Sequence, residues 1–151
     1  MTLKIAVVNG PNLDILGKRE PKIYGVTTLA EIEAWLRQEA RSLSVELQFF
    51  QSNSEGSIID YLHELEGVVQ GLVINPAAFS HYSVAIRDAL AFLSIPIVEV
   101  HLSNIYAREG FRHHSITSEV VTAQISGLGH RGYLLALEGL LALIESTPRT
   151  E

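Results

Sequence analysis

The chain has 151 residues, 47% of them hydrophobic and 19% charged, with 11 Lys+Arg against 17 Asp+Glu for a formal charge of −6. That length suits one domain over residues 1–151, the apolar content excludes intrinsic disorder, and the acidic balance argues against a binder of nucleic acid or anionic membrane. With no cysteine, disulfides, thiolate metal sites and cysteine nucleophiles drop out. No apolar run approaches the ~20 residues of a membrane span, and Met1-Thr2-Leu3-Lys4 runs straight into a strand-like segment without a signal-peptide pattern, so a soluble, cytoplasmic protein is expected.

Leu3 to Asn9 is short, apolar and β-branched, bounded by Asn9-Gly10-Pro11, and reads as a buried strand. Gly10 to Val26 carries three glycines, two prolines and the charges of Lys18, Arg19, Glu20 and Lys22. A loop this long in a compact domain is commonly a lid or binding loop, here at about 10–27. Thr28-Leu29-Ala30-Glu31 is a capping box that opens a helix with Leu29, Ile32, Trp35, Leu36 and Leu43 on one stripe. Ser44 to Gln51 is a second strand. Ser57 to Leu65 has helical spacing. Gly71 to Asn75 is a third strand, stopped by Pro76. Ser83 to Leu93 is a helix, with Val84, Ile86, Leu90 and Leu93 expected inward. Pro96 to Leu102 is a fourth strand. A polar segment from Ser103 to Ser118 follows. Gln124 to Ser126 is a short fifth strand, Tyr133 to Ile144 a very apolar last helix, and Thr147 to Glu151 a frayed tail. Alternation of strand and helix, with nearly continuous apolar strands, predicts an α/β fold: a flavodoxin-like doubly wound sheet of five parallel strands with helices on both faces.

In such sheets ligands bind beyond the carboxyl ends of the strands, where the strand order reverses. Strands one, three and four are neighbours in the expected order, so Asn12, Asn75 and His101 should converge on one crevice. Glu99 and His101 are two apart on a strand and share a face. Three readings are open for this pair: an exposed strand end, a carboxylate that orients and charges a histidine acid, or a metal site completed by His81. The general acid needs the fewest assumptions. Gly127-Leu128-Gly129-His130-Arg131-Gly132 matches G-x-G-x-x-G, but it follows the last strand instead of the first, and so reads as a turn and helix start. His113-His114 reads as a solvated loop pair and His63 as structural. Arg19, Arg108 and Arg112 stand in loops near the crevice of an acidic chain, which suggests an anionic ligand such as a carboxylate. Tyr24 lies five residues from Arg19. It is either a packing anchor or a base, because a nearby guanidinium favours the phenolate. A flavin- or anion-binding module on the same scaffold is a competing class, although no Ser/Thr-rich phosphate cradle follows strand one.

Gly10-Pro11-Asn12-Leu13, Leu16-Gly17, Arg19-Glu20-Pro21 and Tyr24-Gly25 form one motif. Asn75-Pro76-Ala77-Ala78, His81, Ser83-Val84-Ala85 and Asp88-Ala89 form a second, and Glu99 to Asn104 with Arg108-Glu109 and Phe111-Arg112 a third. With Ile125, Gly127, Gly129, Gly132 and Tyr133, these motifs resemble the type II 3-dehydroquinate dehydratases, in order and over nearly the whole chain. The resemblance implies a flavodoxin-like fold and dehydration of 3-dehydroquinate to 3-dehydroshikimate in the shikimate pathway, with no metal, no cofactor and no Schiff-base lysine. It implies that Tyr24 is the base at C2 and His101 the acid for the leaving hydroxyl. Arg19 would activate Tyr24 and stabilise developing negative charge with Arg108 assisting, Asn12 would help hold a water that stabilises the enolate, and Glu99 would hold His101 in its acid form. It places the substrate carboxylate on Asn75 and on the backbone at Leu102-Ser103, and the ring hydroxyls on His81, Arg112 and an Asp88 from a neighbouring subunit. It also implies trimers assembled into dodecamers. Asp14 stands where the family commonly has Asn, and Phe79, Ser80 and Tyr82 where Tyr, Thr and Thr are more frequent. These are expected to tune packing or affinity.

Overall fold

Strand and helix alternate along residues 2–147, which the computed structural model describes. The strands are β1 (Leu3–Asn9), β2 (Val45–Gln51), β3 (Gly71–Asn75), β4 (Ile97–His101) and β5 (Ala123–Ser126). All pair in parallel, in the order β2-β1-β3-β4-β5. The helices are α1 (Pro21–Tyr24, one turn), α2 (Leu29–Ser42), α3 (Glu55–Leu65), α4 (Val84–Phe92) and α5 (Arg131–Ser146). The order is the flavodoxin-like one expected from the sequence.

Side-chain alternation along each strand sorts the core into two layers. Ile5, Val7, Val73, Val98 and Val100 pack with Leu36 of α2 and Leu137 and Leu140 of α5. Ala6, Val8, Leu72, Ile74 and Ile97 pack on the opposite face with Ile58 and Leu62 of α3 and Ile86 and Leu90 of α4. Strands buried on both faces need apolar residues at every position, which is why β1 and β3 read as continuous hydrophobic runs.

Caps set the helix starts. Thr28 and Glu31 form the capping box of α2, and the side chains of Ser54 and Ser83 accept from Ser57 and Ile86 N–H at the starts of α3 and α4. The first of these moves the start of α3 two residues earlier than the spacing suggested. The expectation that Val84 faces inward does not hold: it is 60% exposed. Two residues before Ile86 is about 200° around a helix, so Val84 falls opposite the Ile86–Ala89–Leu90 stripe. The 10–26 segment is also less irregular than a loop, with a 3₁₀ turn at Leu13–Ile15 and the α1 turn opened by Pro21. Of the expected frayed tail, Pro148 to Glu151 lies outside the described residues.

The chain reverses direction across the sheet between β1 and β3, and there the two carboxyl ends touch. Gly10 N–H donates to the Asn75 carbonyl at 2.8 Å. A Cβ on Gly10 would stand 2.4 Å from the Pro76 carbonyl oxygen, which is backbone and cannot swing aside. Gly10→Ala is therefore expected to lower stability by about 1–3 kcal/mol in a urea titration and to weaken turnover by displacing Asn12.

Candidate active site

A cleft of about 580 Å³, counting its open mouth, lies over the carboxyl ends of β1, β3 and β4. Asn12, Arg19, Tyr24, Asn75, His81, His101, Leu102, Ser103, Arg108 and Arg112 all line it. Of the residues singled out in the sequence, Glu99 sits behind the wall and Asp88 lies elsewhere.

One wall of the cleft carries Tyr24, the last residue of α1. Its hydroxyl accepts a 2.7 Å hydrogen bond from Nη1 of Arg108, a residue 84 positions away. Arg108 is itself only 12% exposed, and its guanidinium is also 3.4 Å from Ser103 Oγ and 4.0 Å from Glu20. Arg19 and Arg108 each place a guanidinium carbon 5.2 Å from the Tyr24 ring centroid. Sequence distance gave Arg19 the leading part beside this phenol. The fold gives the direct hydrogen bond to Arg108 and leaves Arg19 over the ring. Two guanidinium groups thus meet on one half-buried phenol, one as a hydrogen-bond donor to its oxygen and one over its ring.

The second wall is the end of β4. Glu99 has no exposed surface and His101 only 5%, so the pair is not an exposed strand end. His101 Nε2 donates to Glu99 Oε2 at 2.8 Å. Burial alone would raise the Glu99 carboxyl. The hydrogen bond and charge of His101, with hydrogen bonds from Ser118 and Thr117, outweigh burial and hold it down at about 2. Among the described residues the Nδ1 of His101 makes no hydrogen bond, and the ring lines the cleft, so this nitrogen is the one placed to give a proton. The metal reading of Glu99, His101 and His81 is not built: among the described residues no group of three His, Asp or Glu side chains is arranged to hold an ion.

The floor is Asn75. Its Oδ1 accepts from Ala77 N–H at 3.1 Å, and its Nδ2 donates to the Tyr133 hydroxyl at 3.1 Å. The Tyr133 hydroxyl in turn donates to Asn9 Oδ1. The amide is thus fixed in orientation with one N–H left over. Burial pushes the Tyr133 phenol far up, so it stays a neutral link. His81 donates from Nδ1 to the His114 carbonyl at 2.9 Å, leaving Nε2 as an acceptor. Burial lowers the His81 pKa, opposed by that carbonyl and aided by the charges of His101 and Arg112. Asn12, at φ 68°, is pinned by its N–H to Asn53 Oδ1 at 2.9 Å. The departure Asp14 accepts from Asn53 at 3.4 Å and so joins that support.

His113 and His114 are not merely solvated. The first donates to the Arg108 carbonyl at 2.6 Å, and the second holds His81 through its own carbonyl. The glycine run is a turn, as expected: Gly127 and Gly129 have φ of 91° and 58°, and Gly129 N–H donates to Leu102 O at 3.0 Å. Asp88 is on the outer side of α4, with 70% of its side chain exposed and Arg87 at 3.8 Å. Sequence reasoning missed the anchor made by Tyr133 and the hydroxyls of Ser115, Thr117 and Ser118 behind Glu99. The polarity of the Ser103–Ser118 segment was the one signal for the latter.

The geometry is a phenol backed by cations facing a carboxylate-backed imidazole, across a floor of polar groups suited to a carboxylate and hydroxyls. Residues 3–141 match the family model described as dehydroquinase class II. The 3-dehydroquinate dehydratase of Bacillus cereus (strain AH187) is 56% identical over 138 residues, 91% of this chain and 94% of that protein. The crystal structure of type II dehydroquinase from Butyrivibrio crossotus DSM 2876 superposes with a TM-score of 0.91 at 46% identity, covering 93% of this chain and 98% of that one. That of type II dehydroquinase from Propionibacterium acnes gives 0.90 at 46% identity, covering 97% and 99%. The chain belongs to the class II dehydroquinase family.

Proposed function

We propose that this cleft dehydrates 3-dehydroquinate to 3-dehydroshikimate, a step of the shikimate pathway, by anti elimination through an enolate. The hydrogen bond from Arg108 to the Tyr24 hydroxyl carries the reading, because it sets a cationic donor on the oxygen that would take the proton. Tyr24 takes a proton from C2, next to the C3 ketone, and the electron pair moves into the enolate. Arg19 stabilises that charge, and Asn12, which also lines the cleft, helps hold a water that does the same. The enolate then collapses, the C1–O bond breaks, and His101 gives its proton to the departing hydroxyl, which leaves as water. The new C1–C2 double bond is conjugated with the ketone. Glu99 holds the imidazole and balances its charge. Asn75 and the Leu102-Ser103 backbone receive the carboxylate, and His81 and Arg112 the ring hydroxyls. The chemistry asks for no metal, cofactor or lysine.

The 10–27 segment acts as a lid on one catalytic domain, a reading supported by Tyr24 and Arg19 being carried on it into the cleft wall. Asp88 serves the cleft of a neighbouring subunit in trimers that build a dodecamer. Its exposed place away from this chain's own cleft supports that role, and light scattering tests the assembly. A cytoplasmic location follows from the same pathway assignment and is tested by fractionation.

The test of the activity is an ultraviolet assay of purified protein with 3-dehydroquinate and excess chelator. A rising enone absorbance is expected. A folded protein giving no signal would overturn the assignment.

A further inference from the structure

Glu99 is fully buried, and among the described residues one imidazole is its only basic partner within hydrogen-bond reach. Its other acceptor positions are filled by one short stretch of chain and by β5. Ser115 Oγ donates to Oε2 at 2.7 Å, Ser118 Oγ to Oε2 at 2.5 Å, and Thr117 Oγ1 to Oε1. Gln124 Nε2 adds a longer contact of 3.4 Å. The three hydroxyls also touch one another, Ser118 Oγ lying 2.9 Å from Ser115 Oγ and Ser115 Oγ 3.1 Å from Thr117 Oγ1. Ser118 Oγ accepts from Gln124 at 2.8 Å and Ser115 Oγ from the Ser118 N–H at 3.1 Å, and the carboxylate is the strongest acceptor within reach of their protons. The stretch is also held through its backbone, Ile116 N–H donating to the Ser80 carbonyl at 2.8 Å.

A buried acid–imidazole pair has two ways to hold one proton. The neutral pair avoids two buried charges and is favoured by poor solvation. The ion pair wins only if the carboxylate is supplied with donors. We propose that Ser115, Thr117 and Ser118, oriented by Gln124, are positioning residues that keep the shared proton of the Glu99–His101 pair on the imidazole. The inference rests on the acid role given to His101 above.

Other charges near the pair do not do this work. His81 faces the His101 ring with centroids 6.5 Å apart, and Arg112, Arg19, Arg108 and Tyr24 line the same cleft. Of these groups the three guanidinium charges favour an anionic Glu99. Outside the shell, Glu119 is taken by Arg87 at 3.5 Å and His114 at 3.4 Å. The sheet partners of the pair are Ile74 from β3 and Gln124 and Ser126 from β5, none of them titratable.

The test is side-chain ¹⁵N NMR of the histidines in the free enzyme, with steady-state kinetics, for wild type, Thr117→Val and Thr117→Ser. Thr117→Val keeps the shape and removes the donor. The neutral fraction of His101 should rise at pH 7, and kcat should fall roughly tenfold or more with KM unchanged, the scale of one charge-assisted hydrogen bond. Thr117→Ser should restore both. Ser118→Ala, at a half-buried position, carries the same test if Thr117→Val does not fold. A His101 ring state like wild type in a folded donor-deleted variant overturns the proposal. A changed ring state with unchanged kcat would instead overturn the acid role of His101, and the catalytic meaning of the shell with it.

Discussion

Tyr24→Phe should abolish most turnover while leaving substrate binding intact. Removal of a positioned general base costs roughly 10²–10⁴ in rate. The ring itself stays, half-buried between the guanidinium groups of Arg19 and Arg108, so its packing and cation–π contacts are retained. Only the 2.7 Å hydrogen bond from Arg108 is lost, and that bond is worth about 1 kcal/mol of stability. The expected outcome is a fall in kcat with little change in KM or in product affinity by calorimetry. A variant that turns over at near wild-type rate would show that another group takes the proton. Arg108→Ala should lower kcat by a smaller factor, because Arg19 still lies over the ring.

Glu99→Gln is the second large effect, and it touches stability as well as rate. The folded carboxyl titrates at about 2 against an ordinary 4.5. A depressed folded pKa means that the unfolded chain takes up the proton first as pH falls. The stabilisation is therefore complete above about 4.5 and is lost on the way down to about 2. The difference corresponds to about 3 kcal/mol. Glu99→Gln should cost a comparable amount at pH 7, leaving hydroxyl donors and His101 facing an amide. The gap to wild type, followed by urea titration at several pH values, should close as pH approaches 2. A gap independent of pH would mean that the loss is one of packing. The rate should fall too, since His101 loses the charge that holds its proton.

The parts of the fold set by local pattern were legible in the sequence. The apolar runs at Leu3–Asn9 and Gly71–Asn75 have no other home than a doubly covered sheet, and the Thr28–Glu31 box marks its helix without tertiary help. Glu99 and His101 were legible because two residues on one strand must share a face. What stayed hidden depends on contacts distant in sequence. Arg108 reaches Tyr24 across 84 residues, and no spacing rule connects them. Tyr133 looked like one more apolar position of the last helix, yet its hydroxyl joins Asn9 and Asn75 beneath the cleft. Ser115, Thr117 and Ser118 looked like loop polarity, because a carboxylate needing donors cannot be seen from the donors alone. Val84 was misplaced by counting apolar residues without following their angle around the helix.

The proposed base and acid come from separate elements, Tyr24 from the α1 turn and His101 from the end of β4. The most direct measurement follows the hydrogens of C2. Substrate is labelled with deuterium stereospecifically at each C2 position in turn, and the product of a single turnover is read by mass spectrometry. The account predicts that the label anti to the departing hydroxyl is lost and the other kept. Loss of the syn label, or scrambling of both, would contradict a Tyr24 base and a His101 acid working from separate walls of one cleft.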